Sequence, residues 1–162
     1  TIHVELCTLD PGGRSLFEER FAILKRSLDA LDSQIKNSLA PLKNRAFYVY
    51  HPSLDYFAEA YGLEQIAIEQ SGKAPTAREL NKLIKRARSE GVKLIFVQPQ
   101  FSQRAAQSVA QQIGGAVVAL DPLAENYIEN LTHIADQIKT ALSPSPNDTP
   151  GHVQSAGETA DD

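Results

Sequence analysis

The 162-residue sequence predicts an α/β fold, with a four-stranded parallel sheet in spatial order 2-1-3-4 that helices flank and one long helix precedes. Short β-rich runs alternate with helical patterns after residue 45, which is typical of a parallel sheet. Right-handed crossovers through the intervening helices put the second strand on one side of the first and the others on the opposite side. An apolar stripe upstream predicts the long helix.

The chain opens on residues 1–7, which contain no initiator Met, and a turn cluster follows at 9–13. We expect residues 1–14 to be the remnant of a preceding helix, with its front missing, and a turn. From 15 to 39, apolar residues recur every three or four positions, and at about 1.5 Å per residue this helix is roughly 35 Å long. Its stripe consists of Phe17, Phe21, Leu24, Leu28, Leu31, Ile35 and Leu39.

Four runs that are too short for helices and bounded by Gly, Pro or polar turns predict the strands. They occupy 46–50, 64–69, 93–97 and 116–120. Helices are expected between them, and their starts are marked by Ser53, by a Thr76–Glu79 capping box and by Ser102. Their ends are marked by Gly62, Gly91 and Gly114-Gly115. A final helix carries the stripe Ile128, Leu131, Ala135, Ile138 and Leu142.

The composition changes after Leu142, where Ser, Pro and acidic residues replace almost all apolar ones. Such a segment buries too little surface to offset its ordering entropy, so we expect a disordered tail at 143–162. The net charge of −4 argues against nucleic acid as a partner, and no apolar run approaches the ~20 residues that cross a bilayer. The single cysteine, Cys7, excludes an internal disulfide and a CxxC metal site.

Two candidate metal ligands follow apolar strands directly. His51 follows the first predicted strand and Asp121 follows the fourth, so both are expected at the carboxyl edge of the sheet, where ligands of open parallel sheets bind. Taken singly, His51 is more often a hydrogen-bonded loop residue and Asp121 before Pro122 a turn-forming carboxylate. Their shared position favours a site, although Zn²⁺ usually takes four ligands and the chain offers two there.

The other candidates are weaker. His133 lies off the stripe of its helix and is expected in solvent, and Cys7 is most simply a small buried residue. The segment 98–102 either forms a wall of the site through its amides or is a plain connection with Ser102 as a helix cap.

An ordered set of motifs over residues 9–142 resembles the C-terminal half of the zinc and manganese substrate-binding proteins of ATP-binding-cassette importers. The matching segments are Leu9-Asp10-Pro11, Leu31-Asp32-Ser33-Gln34-Ile35, Phe47-Tyr48-Val49-Tyr50-His51-Pro52, Tyr61-Gly62-Leu63, Phe96-Val97-Gln98-Pro99-Gln100-Phe101 and Leu120-Asp121-Pro122-Leu123-Ala124. Family members commonly carry Glu at the position of Gln98.

The resemblance implies a two-lobed extracytoplasmic, periplasmic receptor that hands metal to a membrane permease and catalyses no reaction. Residues 15–41 correspond to the helix that links the lobes, and 42–142 to the C-terminal metal-binding lobe. His51 and Asp121 match the metal ligands of this lobe. Manganese-type members usually carry Glu at the first of these positions, so a histidine favours Zn²⁺ over Mn²⁺. The sequence contains no counterpart of the N-terminal lobe and its ligands, so the resemblance implies that these residues form only part of the site.

Alternatives remain open at this point. The chain could be a manganese receptor of the same family, or a small α/β enzyme domain for a phosphorylated ligand or nucleotide, although the sequence contains no anion cradle or nucleophile pattern. It could also be an interaction fragment. For a receptor without its other lobe, we expect self-association through the apolar stripe of the long helix and the site face of the sheet.

Overall fold

The computed structural model, which describes residues 2–69, 73 and 75–143, contains four parallel strands and six α-helices. The strands are β1 (Ala46–Val49), β2 (Glu64–Ala67), β3 (Leu94–Val97) and β4 (Ala116–Ala119). The helices are α1 (Ile2–Leu9), α2 (Arg14–Leu39), α3 (Asp55–Tyr61), α4 (Ala77–Ser89), α5 (Gln103–Ile113) and α6 (Tyr127–Leu142). The sheet order is β2-β1-β3-β4, which confirms the predicted fold class and topology.

The two central strands, β1 and β3, are the most deeply buried, which explains their continuous apolar runs. The edge strands β2 and β4 are partly exposed. Strand β2 ends at Ala67, so the prediction of a strand to residue 69 was wrong by two residues. Ile68 and Glu69 instead follow the strand, although their amides still donate to the carbonyls of Val49 and Tyr50 at 2.9 Å.

Each face of the sheet has its own apolar core. On one face α2, α3 and α6 pack over β1 and β3, and on the other face α4 and α5 pack over the same strands. Phe47 and Phe96 lie in the first core and Tyr48 and Ile95 in the second, all at most 2% exposed. Burial of each such side chain stabilises the fold by about 1.5–3 kcal/mol.

Only the C-terminal half of α2 belongs to this core. Leu31, Ile35 and Leu39 are buried, whereas Phe21 and Leu24 nearer the amino end are 45% and 53% exposed. The apolar stripe therefore runs along the whole of α2, but only its C-terminal half is buried. Helix α1 covers the start of the described chain and buries Cys7, and its being the remnant of a longer helix stays a prediction.

The helix ends follow most of the predicted signals. Thr76 and Glu79 form the predicted capping box, and Ser102 caps α5. The prediction for Ser53 was wrong, because α3 begins two residues later. Gln65 Oε1 accepts from the amides of Ser53 and Leu54, at 3.3 and 2.8 Å, and so satisfies the start of that helix from the neighbouring strand.

On α6 the buried stripe differs slightly from the predicted one. Ile134 is fully buried, whereas Ile128 is 37% exposed, since the helix turns its first residues away from the core. Apart from Ser143, the predicted tail at 143–162 lies outside the described residues. Across the described ranges, no helix combines the length and the apolar character that crossing a membrane requires.

Candidate metal centre

All four strands contribute a residue to the carboxyl edge of the sheet. In spatial order, Glu69 follows β2, His51 follows β1, Gln98 follows β3 and Asp121 follows β4. Because the strands are parallel, these four positions lie at the same edge. An open cavity of about 360 Å³ is present there, lined by His51, Ser53, Gln98, Gln100, Phe101, Pro122 and Leu123.

The imidazole of His51 is held from two sides. Its Nδ1 lies 3.1 Å from Oε2 of Glu69, and its ring stacks on Phe101 with 4.1 Å between ring centroids and 18° between planes. The His51 side chain is 29% exposed and that of Glu69 11%. No hydrogen bond to Nε2 of His51 is formed within the described part of the chain, so this nitrogen is available to a ligand.

The backbone that carries His51 is held by Gln98. Its side-chain amide Nε2 donates to the carbonyl oxygen of His51 at 2.8 Å and also to Oγ of Ser53. Gln98 is 4% exposed, and its Oε1 has no hydrogen-bond partner among the described residues. The amide orientation is decided by chemistry, because only a donor can face the His51 carbonyl.

Asp121 is half-buried at the end of β4. Its Oδ1 accepts from the amide of Leu123 at 3.0 Å, which forms the turn that the Asp-Pro pair predicts. The same oxygen accepts from Gln100 Nε2 at 3.4 Å, and the Asp121 carbonyl accepts from Asn130 at 2.9 Å. The second carboxylate oxygen, Oδ2, makes no hydrogen bond to any residue that the structure describes.

The loop after β3 connects the two predicted ligands. Phe101 carries the His51 ring on its face, and Gln100 contacts the Asp121 carboxylate. The structure therefore brings both predicted residues to one edge. Ser102 caps the following helix, as the alternative of a plain connection predicts, and a role of the amides of 98–102 in orienting a ligand stays a prediction.

The two other histidines that the structure describes, His3 and His133, lie on helices away from this edge. His133 is exposed on α6, as predicted, and His3 on α1 stacks on Phe21 with 4.4 Å between ring centroids. His152 lies outside the described residues. Within residues 2–69, 73 and 75–143, no three His, Cys, Asp or Glu side chains lie close enough to hold an ion together. The edge therefore offers two donors, an imidazole nitrogen and a carboxylate oxygen, which suits half of a tetrahedral zinc site.

Sequence reasoning missed Glu69. The prediction of a strand over 64–69 made Glu69 the last residue of that strand, whereas the strand ends at Ala67 and Glu69 lies beside His51. The predicted pairing of β1 with β2 could have indicated this contact, because residues that follow two neighbouring parallel strands lie side by side.

Comparison with known proteins assigns the chain to a family. The family model described as the periplasmic component A of the zinc-uptake complex, ZnuA, matches residues 1–141. The chain belongs to this family. It is similar to the high-affinity zinc uptake system protein ZnuA of Brucella suis, at 26% identity over 144 residues that cover 83% of this chain and 43% of the relative. The ZnuA protein of Haemophilus influenzae is 29% identical over 117 residues, which cover 71% and 35% of the two chains.

Solved ZnuA structures share the fold. A crystal structure of ZnuA superposes with a TM-score of 0.84 at 39% identity, covering 88% of this chain and 54% of that one. A ZnuA deletion mutant solved with zinc bound gives the same TM-score and identity, with 90% and 56% covered. The chain thus spans less than half the length of these curated ZnuA relatives and little more than half of the solved ones.

Proposed function

We propose that this chain is the C-terminal metal-binding lobe, with its linking helix, of an extracytoplasmic, periplasmic zinc receptor that delivers Zn²⁺ to the permease of an ATP-binding-cassette importer. Residues 15–41 form the linking helix and 42–142 the lobe. The receptor binds and releases its cargo and catalyses no reaction.

The observation that carries the proposal is the placement of His51 and Asp121 at one sheet edge, where Nε2 of the first and Oδ2 of the second make no hydrogen bond to any described residue. An imidazole and a carboxylate are common zinc ligands, and imidazole suits Zn²⁺ better than the harder Mn²⁺. The names of the ZnuA relatives, which are zinc uptake proteins, agree with zinc as cargo.

Two ligands on one lobe make metal binding depend on a second lobe. A tetrahedral site needs further donors, and those donors must be brought to His51 and Asp121 when the lobes meet. Metal binding is thereby coupled to the relative position of the lobes, which a permease could recognise. The chain alone binds zinc weakly, and adding the N-terminal lobe restores tight binding.

The test is His51→Ala in the two-lobed receptor, measured by calorimetric zinc titration and by thermal unfolding of the metal-free protein. We expect zinc affinity to fall by orders of magnitude with little change in melting temperature, because a partly exposed residue at a strand end contributes little to the core. His133→Ala is the matched control, since that histidine is exposed on α6.

Unchanged zinc affinity in His51→Ala, together with a lowered melting temperature, would show a packed loop histidine and remove the proposal. Equal losses in both histidine variants would also count against it, because they would assign zinc binding to histidines in general. Manganese titration of the wild-type receptor distinguishes the two cargo ions.

A further inference from the structure

We propose that Glu69 is a positioning residue that selects the tautomer of His51, so that Nε2 carries the lone pair that binds zinc. This inference rests on the proposed function, and it adds a residue outside the expected ligand pair. A neutral imidazole bears its proton on one nitrogen only, and a metal binds the other.

The contact that supports this role joins one imidazole nitrogen to one carboxylate. Nδ1 of His51 lies 3.1 Å from Oε2 of Glu69. An ionised carboxylate can only accept hydrogen bonds, so the proton of a neutral His51 belongs on Nδ1. Nε2 is then unprotonated and is free of hydrogen bonds from the described residues.

The burial of Glu69 strengthens its preference for one tautomer of His51. The residue is 9% exposed, so water competes little for its carboxylate. No Lys or Arg forms a salt bridge with it in the part of the chain that the structure describes. A hydrogen bond to a charged acceptor is stronger than one between neutral groups, so this contact favours the tautomer that has its proton on Nδ1.

Backbone contacts place Glu69 for this purpose. The amides of Ile68 and Glu69 donate to the carbonyls of Val49 and Tyr50, both at 2.9 Å, so the chain beyond β2 stays in register with the chain beyond β1. Phe101 stacks on the imidazole and fixes its plane. Together these contacts leave the ring one orientation in which Nδ1 meets Glu69 and Nε2 faces away from it.

The first measurement is the ¹⁵N spectrum of the histidine side chains in the metal-free 162-residue chain, at a pH at which imidazoles are neutral. We expect a pyrrole-type Nδ1 and a pyridine-type Nε2 for His51. In Glu69→Gln, the amide can donate or accept, so both tautomers should appear. A wild-type His51 with its proton mainly on Nε2 would overturn the inference.

The second measurement is zinc affinity of the same variants in the two-lobed receptor. Loss of an outer-shell carboxylate typically lowers metal affinity about 10–100-fold, and we expect a loss of that size in Glu69→Gln. Glu69→Asp keeps the charge but shortens the reach, so it should lose affinity as well. Glu125→Gln, which removes a charge from an exposed residue four positions after Asp121 in sequence, should bind zinc normally.

The outcomes separate this inference from the proposed function. Full zinc affinity in His51→Ala removes the proposed function but leaves the tautomer measurement intact. Loss of affinity in His51→Ala with an unchanged tautomer and affinity in Glu69→Gln overturns the role of Glu69 alone. If Glu69→Asp binds zinc with wild-type affinity, any effect of Glu69→Gln is due to the lost charge. That result would contradict the role of Glu69 as a positioning residue for His51.

Discussion

At the scale of single residues, the site depends on Gln98 as much as on the predicted ligands. One buried amide group donates to the His51 carbonyl and to the Ser53 hydroxyl, and so holds the short segment between β1 and α3. No backbone amide of the described residues donates to the carbonyl of His51, and the side chain of Gln98, at a neighbouring strand end, provides a hydrogen bond to it.

We expect Gln98→Leu, which is similar in size, to lower the free energy of unfolding by about 1–3 kcal/mol, because it removes the donor that holds the partly buried His51 carbonyl. Zinc affinity should fall too, since the backbone of His51 is released. Chemical denaturation measures the first effect and calorimetry the second.

Gln100→Leu provides the matched control, because Gln100 is exposed and makes one long contact of 3.4 Å to Asp121. Its free energy of unfolding should stay within about 0.5 kcal/mol of the wild type. Equal destabilisation by both leucine variants would argue against a special role for Gln98.

At the scale of secondary-structure elements, the turn from α5 into β4 depends on a close approach of two strands. A Cβ added to Gly115 would lie 2.6 Å from the carbonyl oxygen of Lys93. That carbonyl accepts from the amide of Ala116 at 2.8 Å, which is the first bond between β3 and β4. The glycine therefore permits the pairing that places Asp121.

We predict that Gly115→Ala destabilises the protein by about 2–3 kcal/mol, because the strands must separate to admit the methyl group. Gly91→Ala is the control, because it introduces backbone strain without the steric clash of the added methyl group. Gly91 has φ +68° but open space around its Cβ position, so its substitution should cost about 1–2 kcal/mol. Urea denaturation measures the free energy of unfolding of both variants. A larger decrease in Gly91→Ala than in Gly115→Ala would contradict the prediction.

At the scale of the whole molecule, apolar surface concentrates at one end. Ile2 and Leu6 of α1, with Phe21 and Leu24 of α2, are between 42% and 79% exposed and adjoin one open groove of about 550 Å³. Contiguous apolar surface of this kind tends to associate.

The 162-residue chain should therefore self-associate as its concentration rises, which sedimentation or light scattering would detect. Phe21→Glu combined with Leu24→Glu should give a monomer. Tyr56→Glu should leave association unchanged, because Tyr56 is 90% exposed but lies on α3, apart from this groove. A wild-type chain that stays monomeric at high concentration would contradict the prediction.

Much of the fold could be predicted from sequence because its signals are local. The apolar runs of β1 and β3 match strands that are buried on both faces, and the capping box at Thr76 satisfies its own helix start. The strand order follows from the alternation of strands and helices together with the handedness of the crossovers. His51 and Asp121 could be predicted as a pair because each directly follows a strand.

The sequence by itself thus determined the fold class, the sheet order and the placement of His51 and Asp121 at the carboxyl edge, since each depends on periodicity or on position relative to a strand. Tertiary structure alone decided the partners of those residues. Glu69 and Gln98 contact His51 across 18 and 47 positions of sequence, and Gln65 rather than Ser53 satisfies the start of α3. Such contacts depend on strand register and on where each strand ends. A shift of one strand by one or two residues relative to its neighbour would remove them.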